Sequence, residues 1–405
     1  MPVLVQKYGG SSVADPDKIR NVAARVGRSK ASGNRIVVVI SAMGDTTDDL
    51  IALAHQISDE PDSREMDMLL STGEIVSASL LTMALHKMGY KAISLTGRQA
   101  GIQTDGSHSK ARILKVESDR IVQELDRDNI VVVAGFQGIT PEADITTLGR
   151  GGSDTTAVAL AISLKAAQCQ RFTDVDGIYT ADPRYCPEAV KLKEISYDEM
   201  LELTSSGSKA IHYRAVELAG VYDMPILVAA SYKDSPGTLI HGGLTMEVRN
   251  KVRGIAHDLD VAKITLEGVP NQPGIAASIF EPLAAAGVSV DTIVQNAFLD
   301  NATDLTFTIT RGELKRAQDV IMPIARRIRA RKVESDAKLG KISIVGTGMQ
   351  NTPGYASKMF AALSKENINI QLITTSEIRI TCIIEESRVK DAVRALHRAF
   401  ELEKD

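Results

Sequence analysis

The chain has 405 residues, with 47 Lys plus Arg against 51 Asp plus Glu and a formal net charge of −4, so no basic excess exists to drive nucleic-acid binding. Hydrophobic residues make up 44% and charged residues 24%, the balance of a globular chain of two or three domains rather than a disordered one. Aromatics are 4% and Trp is absent, which makes the core aliphatic and argues against binding by stacked bases. Three scattered cysteines, Cys169, Cys186 and Cys382, read as reduced thiols of a cytoplasmic protein. The opening MPVLVQKYGG is too short an apolar stretch for a signal peptide, and no uninterrupted apolar run of membrane-spanning length is seen. No HExxH or paired histidine spacing suggests a protein-held metal.

Over residues 1–245, short β-rich runs alternate with longer helical patterns. Strands are predicted at Val3–Gln6, Ile36–Ile40, Ala92–Leu95, Ile130–Ala134, Gln170–Thr173 and Ile226–Ala229. Helices are predicted at Ile19–Lys30, Glu74–Met88, Ala111–Arg127 and Thr155–Ala167. Several of the strands are continuous aliphatic runs, as burial on both faces requires. The alternation argues an α/β fold, a mostly parallel sheet flanked by helices. The stretch Tyr185–Lys209 is expected to lie outside the central sheet.

Beyond residue 245 a repeat appears. Ile264 matches Ile342 at an offset of 78, while Pro273-Gly274, Phe280, Val288 and Val290 match Pro353-Gly354, Phe360, Ile368 and Ile370 at an offset of 80. Each copy reads strand, Pro-Gly loop, helix, strand, strand, helix, a small ferredoxin-like βαββαβ module. Two copies at this period indicate domain duplication rather than a solenoid. The second copy, 341–405, lacks a last strand, and an unassigned strand-like piece, Val252–His257, precedes the first copy, 263–340. That piece, within a linking segment 246–262, is expected to complete the second copy's sheet.

Lys7-Tyr8-Gly9-Gly10-Ser11-Ser12 follows the first strand. Two glycines at a buried strand end let backbone N–H groups approach phosphate oxygens, and Lys7 adds a compact charge. No GxxxxGK[ST] occurs, so this is not a P-loop. Gly149-Arg150-Gly151-Gly152-Ser153-Asp154 precedes an apolar helix that Ser153 or Asp154 can cap, and Arg150 offers a fork for a carboxylate or phosphate. Ser41 to Asp49 follow the second strand, at the end where open α/β sheets place ligands. Ser71-Thr72-Gly73-Glu74 is expected to open a helix. There Glu74 either meets an ammonium group or serves the helix dipole. Thr173 to Arg184 follow another strand and are dense in turn formers. Asp174 and Asp182 either face magnesium or ribose, or are solvated turn residues.

In order and approximate spacing, KYGGSSV, SAMGDTTDDL, STGE, GRGGSDTTAVAL, FTDVDGIYTADPR and GSKAIHYRAV resemble the aspartate kinases of the amino-acid kinase superfamily. The likeness covers essentially the whole chain, and the duplicated module looks like that family's paired ACT domains. The family more often has Phe where Tyr8 stands. The resemblance implies transfer of the γ-phosphoryl group of ATP to the side-chain carboxylate of L-aspartate. The product would be 4-phospho-L-aspartate, on the route to lysine, threonine and methionine. It implies that Lys7, Tyr8, Gly9 and Gly10 sit on the ATP phosphates with Ser41 nearby. Thr173, Asp174, Tyr179, Thr180, Ala181, Asp182, Pro183, Arg184 and Lys209 would hold the nucleotide. Asp45, Thr46, Thr47, Asp48, Asp49, Glu74, Arg150, Gly151, Gly152, Ser153 and Asp154 would bind aspartate or shape its pocket, with Asp154 orienting Lys7. Magnesium would arrive with ATP, with no ion held by protein alone and no tightly bound organic cofactor.

By the same resemblance, effectors, lysine and threonine, would bind beside Asn271, Gln272, Pro273, Gly274, Ile275, Ala276, Asp291 and Gln295 in the first copy. In the second copy they would bind beside Tyr355, Ala356, Asn369, Ile370, Ser376 and Glu377. Asp291 or Glu377 would meet an effector ammonium. A homo-oligomer, dimer or tetramer, would form through the ACT domains. It could include a shorter regulatory subunit started near Met246. No fused dehydrogenase, membrane or nucleic-acid partner is expected. Two rivals remain: a kinase of glutamate or a related carboxylate, and a catalytically dead amino-acid sensor. The first would have different substrate loops and no duplicated tail. The second would lack Lys7, Arg150 or Asp154.

Overall fold

The computed structural model describes residues 2–242, 252–297, 302–349 and 352–404. Met246 lies outside the described residues. The chain divides into two units. Met1–Tyr179, Lys191–Ser205 and Lys209–Glu247 form the first, and Thr180–Val190, Ser206–Ser208 and Val248–Asp405 form the second. Two short segments inside the expected 1–245 domain thus belong to the second unit.

In chain order the first unit comprises β1 (Val3–Tyr8), α1 (Pro16–Ala31), β2 (Arg35–Ile40), α2 (Thr46–Ile57), α3 (Ser63–Lys87), β3 (Ala92–Leu95), β4 (Ile102–Thr104), β5 (Ile113–Val116), α4 (Asp119–Asp126), β6 (Ile130–Ala134), β7 (Gln137–Ile139), β8 (Ile145–Thr147), α5 (Gly152–Ser163), β9 (Gln168–Thr173), β10 (Glu194–Ser196), α6 (Tyr197–Ser205), α7 (Tyr213–Val221), β11 (Ile226–Ala230) and β12 (Thr238–His241). The main sheet runs β10-β12-β11-β9-β1-β2-β6-β3. Every neighbouring pair is parallel except β11 with β12. Such a sheet must be covered on both faces, and the aliphatic runs of β2 and β6 are fully buried. Helix α1 starts where Asp15 accepts from Lys18 N and Pro16 takes the first turn, a position where its missing N–H costs nothing. Its stripe of Ile19, Val22 and Val26 joins Leu81 and Leu85 of α3 over Ile36, Val38 and Val132.

Four sequence expectations are corrected. The helix expected at Ala111–Arg127 splits into β5 and α4, because β-branched Ile113 and Val116 find an antiparallel partner in β4. A second sheet, β5-β4-β7-β8, results. Helix α3 begins at Ser63 rather than Glu74, since Asp62 accepts from Arg64 N and Glu65 N and caps it there. Helix α5 ends at Ser163 because Lys165 adopts a left-handed φ of 48° and Ala166 N bonds back to Ala161 O. Finally, Glu194–Ser196 is not outside the main sheet but is its edge strand, paired with β12. By length and composition α3 is apolar enough to cross a membrane. Its buried face, however, carries Asp67 and Glu74, both hydrogen-bonded inside the first unit, as befits a core helix. All three cysteines are free and buried.

The second unit contains β13 (Gly254–Pro270), α8 (Ile275–Ala285), β14 (Val290–Ala297), β15 (Ala302–Ile309), α9 (Leu314–Arg327), β16 (Lys332–Val345), α10 (Tyr355–Lys365), β17 (Ile370–Thr375), β18 (Arg379–Glu385) and α11 (Val389–Ala399). One antiparallel sheet, β14-β15-β13-β16-β18-β17, joins both repeats. Gly254–Asp258 pairs with Lys341–Val345, and farther along β13 pairs with Lys332–Leu339. The piece that precedes the first repeat therefore supplies a strand beside the second. The 80-residue offset is visible in the backbone: Gly274 and Gly354 both take positive φ, 87° and 103°, as the N-caps of α8 and α10. Two cores result. Ile264, Ile279, Phe307 and Ile321 centre one, and Ile342, Met359, Cys382 and Leu396 the other.

The segment Thr180–Val190 is built into that second core. Ala181 and Cys186 are part of it. The Thr180 hydroxyl bonds His397 Nε2 at 2.9 Å and accepts from Val190 N at 2.9 Å, while Thr180 O accepts from Ile255 N at 2.7 Å. Arg394 Nε donates to Tyr185 O at 2.9 Å. Burial holds His397 below the ordinary histidine pKa, so the ring is neutral at pH 7.

Candidate active site

The carboxyl ends of β1, β2 and β9 and the amino end of α5 gather four of the sequence motifs. Gly10 lies so close to the loop after β2 that a Cβ there would be 2.8 Å from Ala42 O, and Gly44 N donates to Gly10 O at 3.2 Å. A Cβ on Gly73 would likewise stand 2.8 Å from the Cβ of Ala42, so α3 packs directly on the same loop. Ala42 N donates to Glu74 Oε1 at 3.0 Å, and the hydroxyls of Ser41 and Ser153 meet at 2.7 Å.

At the end of β1, Lys7 is buried and its Nζ lies 2.6 Å from Asp154 Oδ1. Arg171 Nε approaches Asp154 Oδ2 at 3.0 Å, and His212 N donates to the same oxygen at 3.3 Å. Below them lie Ala157, Val158, Cys169, Ile211 and Ile226. Burial lowers the Lys7 ammonium's pKa, with Asp154 opposing. Burial works against the Asp154 carboxylate, yet Arg171 and Lys7 together hold it well below the usual carboxylate range. At Glu74 the charge of Lys7 is too weak a counterweight to do the same. Burial raises this carboxyl to about 7, against the Ala42 backbone hydrogen bond, and its Oε2 has no hydrogen-bond partner among the described residues.

Two expectations for this region are corrected. Neither Ser153 nor Asp154 caps α5. Gly151 is the N-cap, with φ 70°, and no side chain bonds the end, because Ser153 is turned to Ser41 and Asp154 to the two cations. Ser71-Thr72-Gly73-Glu74 lies in the interior of α3, not at its start, which removes the helix-dipole reading of Glu74. A Cβ on Gly151 would be 2.0 Å from the His212 ring carbon Cγ. Gly151→Ala is therefore expected to lower stability by about 1–3 kcal/mol through the clash and the left-handed backbone, read as a lower urea midpoint.

Of the remaining sequence candidates in this unit, Arg150, Gly44, Asp45, Asp48 and Asp49 are exposed, and Thr46 and Thr47 are half-buried. Tyr8 is fully buried and stacked on Phe172 at 5.0 Å, and its carbonyl accepts from Ser41 N at 3.1 Å. Thr173 donates to Asp174 Oδ1 at 2.9 Å, Asp174 is exposed, and so is Lys209. Tyr179 donates to Asp176 Oδ1 at 2.6 Å. The next residues fall in the second unit: Thr180 and Ala181 are inside its core, and Asp182 and Arg184 pair at 2.6 Å beside exposed Pro183.

Among effector candidates, Asn271, Gln272, Pro273 and Gly274 form an exposed loop, Ile275 is buried and Ala276 half-buried. Asp291 already accepts an ammonium, that of Lys341 at 3.0 Å. Gln295, Asn369, Ser376 and Glu377 are exposed and Ala356 and Ile370 half-buried, while Tyr355 stacks on Phe400.

Four functional-site neighbours escaped the sequence reading. Arg171 and His212 touch Asp154. Asp176 is held down to about 2 by hydrogen bonds from Lys233 and Tyr179. Asp67, fully buried on α3, accepts from Ser109 N at 3.0 Å, His108 Nδ1 at 2.8 Å and Thr147 Oγ1 at 2.5 Å, and so ties the strand before Gly149 to the helix that bears Glu74. Its signal was a charge inside an apolar helical run.

A carboxylate-clamped lysine between glycine loops at parallel-strand ends defines a phosphoryl-transfer site, on a chain that also carries a duplicated βαββαβ module. Residues 2–230 match the amino acid kinase family, and residues 264–322 and 342–400 match the ACT domain. The chain is 51% identical over 404 residues to an aspartate kinase of Pseudomonas putida, covering 100% of this chain and 98% of that protein. It is 46% identical over 404 residues to aspartokinase 2 of Bacillus subtilis, covering 100% and 99%. It also resembles the crystal structure of E. coli aspartokinase III in complex with aspartate and ADP, with a TM-score of 0.83 at 26% identity, over 98% of this chain and 99% of that one. The chain belongs to the amino acid kinase family and, within it, to the aspartate kinases with two ACT domains.

Proposed function

We propose that the chain transfers the γ-phosphoryl group of Mg-ATP to the side-chain carboxylate of L-aspartate, giving 4-phospho-L-aspartate, the first step towards lysine, threonine and methionine. The observation that carries this is Lys7, clamped by Asp154 at the end of β1, beside the glycine loops. A carboxylate oxygen attacks the γ-phosphorus, a P–O bond forms, and the bond to the β,γ-bridging oxygen breaks with its electron pair leaving on ADP. The acceptor is ionised at pH 7, so no general base is needed. The requirement is to offset repulsion between two anions and to hold them in line.

Lys7 and the amides of Gly9 and Gly10 would serve the phosphates, with Ser41 near. Thr173, Asp174, Tyr179 and Lys209 would hold the nucleotide. Asp174, exposed at the end of β9, fits the task of holding magnesium, which supplies charge neutralisation when bound with ATP. Arg150 would take the α-carboxylate of aspartate and Glu74 its ammonium, while Asp45 to Asp49 and Gly151 to Ser153 shape the pocket. A clamp for both charged groups of an amino acid favours aspartate over a simple diacid.

Lysine and threonine would act at the two modules. Because β13 and β16 each run through both repeats, an effector at one displaces strands that also serve the other. That arrangement supports combined action, and ACT modules of this kind support assembly into a dimer or tetramer. The test is coupled ADP release with Mg-ATP and L-aspartate, with no effector, lysine, threonine, or both. Turnover with aspartate but not glutamate supports the reading. Absence of turnover in folded protein overturns it. Full activity with both effectors present overturns the regulatory part.

The Glu74 carboxyl sets a further expectation. Raised to about 7, it is charged at pH 8 and mostly protonated at pH 6, so its pull on a substrate ammonium is lost as pH falls. The KM for aspartate is expected to rise about tenfold between pH 8 and pH 6. Glu74→Gln is expected to have a high KM with a flat profile over that window.

A further inference from the structure

Arg171 stands opposite Lys7 in the register of β9 and β1. Residues paired across neighbouring parallel strands face the same side of a sheet, and here both side chains reach one carboxylate. Lys7 takes Oδ1 at 2.6 Å and Arg171 takes Oδ2 at 3.0 Å. Two cations on one anion leave an excess positive charge, in a place where Lys7 and Asp154 side chains are 6% and 5% exposed and Arg171 13%. Arg171 Nη1 is buried with no hydrogen-bond partner among the described residues. A fold that sought only to neutralise Lys7 would need Asp154 alone. Burying a second cation on a carboxylate already paired with Lys7 is unfavourable, so its presence calls for a reason in the chemistry. A lone Lys7–Asp154 pair is neutral and offers little field to an anionic phosphoryl group. With Oδ2 given to Arg171, Asp154 is shared and the charge of Lys7 is only partly offset.

We propose that Arg171 is a positioning residue for phosphoryl transfer: held on the second oxygen of Asp154, it fixes that carboxylate and keeps the positive charge of Lys7 available to the transferring group. Arg171 acts through Asp154. The inference rests on the phosphoryl-transfer reading above and adds to it how the Lys7 site is charged. Burial lowers the pKa of Lys7, Asp154 raises it and Arg171 lowers it. Removing the Arg171 charge therefore raises the pKa of Lys7.

The test uses the full chain with Mg-ATP and L-aspartate across a pH series. Arg171→Met is expected to lower kcat about 10–100-fold, with the aspartate KM unchanged within about threefold and the alkaline limb of kcat moved to higher pH. Arg171→Lys keeps the charge and is expected to restore most of kcat and the position of the limb. Should Arg171→Met not fold, Arg171→Gln keeps a donor for Oδ2 without the charge and is expected to move the limb in the same direction. A purely structural arginine would change the yield of folded protein and leave the limb in place. Wild-type kcat and limb in a folded Met or Gln variant overturn the proposal. Absence of ADP release from the wild type overturns the phosphoryl-transfer reading instead, so the two failures are separate.

Discussion

Lys7→Ala is expected to lower kcat by about 1,000-fold while the aspartate KM stays within about threefold. The reason is where the charge sits. Lys7 ends a strand buried on both faces, its ammonium is aimed by Asp154, and the adjoining backbone belongs to Gly9 and Gly10. On the proposed reading aspartate is bound by Arg150 and Glu74, which the substitution leaves in place. The charge that grows between the γ-phosphoryl and its leaving oxygen is what loses its partner, so the deficit falls on the transition state. The fold survives, since Asp154 keeps Arg171 at 3.0 Å. Steady-state rates from coupled ADP release decide the matter. Near-wild-type kcat would remove Lys7 from the mechanism, and a raised KM with kcat unchanged would make it a ground-state binding group.

What the sequence discloses is what is coded locally. Lys7, Gly9 and Gly10 are legible because a buried aliphatic strand stops at two glycines, and that juxtaposition has few other uses. The duplication is legible because Pro273-Gly274 and Pro353-Gly354 recur 80 residues apart, and both glycines do take positive φ. The shared sheet follows from counting strands, since Val252–His257 needed a partner and β16 provides one. Arg171 was not legible. Its role depends on the register that sets it beside Lys7, and nothing near it in the chain names Asp154. The burial of Thr180 and Ala181 is not legible for a similar reason. Their polarity and small size suit a loop, but tertiary packing with His397 and Val190 takes them into the core of the second unit. At Ala111–Arg127 two propensities compete. The helical period continues through Ile113–Val116, but there a ladder partner outweighs helix propensity. Glu74 is legible as a ligand candidate, but its place in mid-helix depends on the cap at Asp62, and its raised pKa on the burial that tertiary packing brings.

Asp154→Asn is expected to be the most destabilising substitution at the site, at about 3–5 kcal/mol. Asp154 is the one anion that Lys7 and Arg171 share, and an amide leaves two buried cations from neighbouring strands facing each other. Lys7→Met alone should cost less, because it leaves a matched Asp154–Arg171 pair. The double variant Lys7→Met/Asp154→Asn should recover about 1–3 kcal/mol relative to Asp154→Asn, a coupling typical of groups in one network. Urea unfolding followed by far-UV circular dichroism measures all three. Additive losses would mean that the charges do not interact. The acid limb supplies an independent check. The folded Asp154 carboxyl lies below its ordinary 3.8, so its contribution to stability is present above that value and is lost as pH falls towards the folded pKa. Wild type should therefore lose stability more steeply than Asp154→Asn below about pH 4. Parallel acid curves would show that the carboxylate stabilises the site through packing and not through its charge.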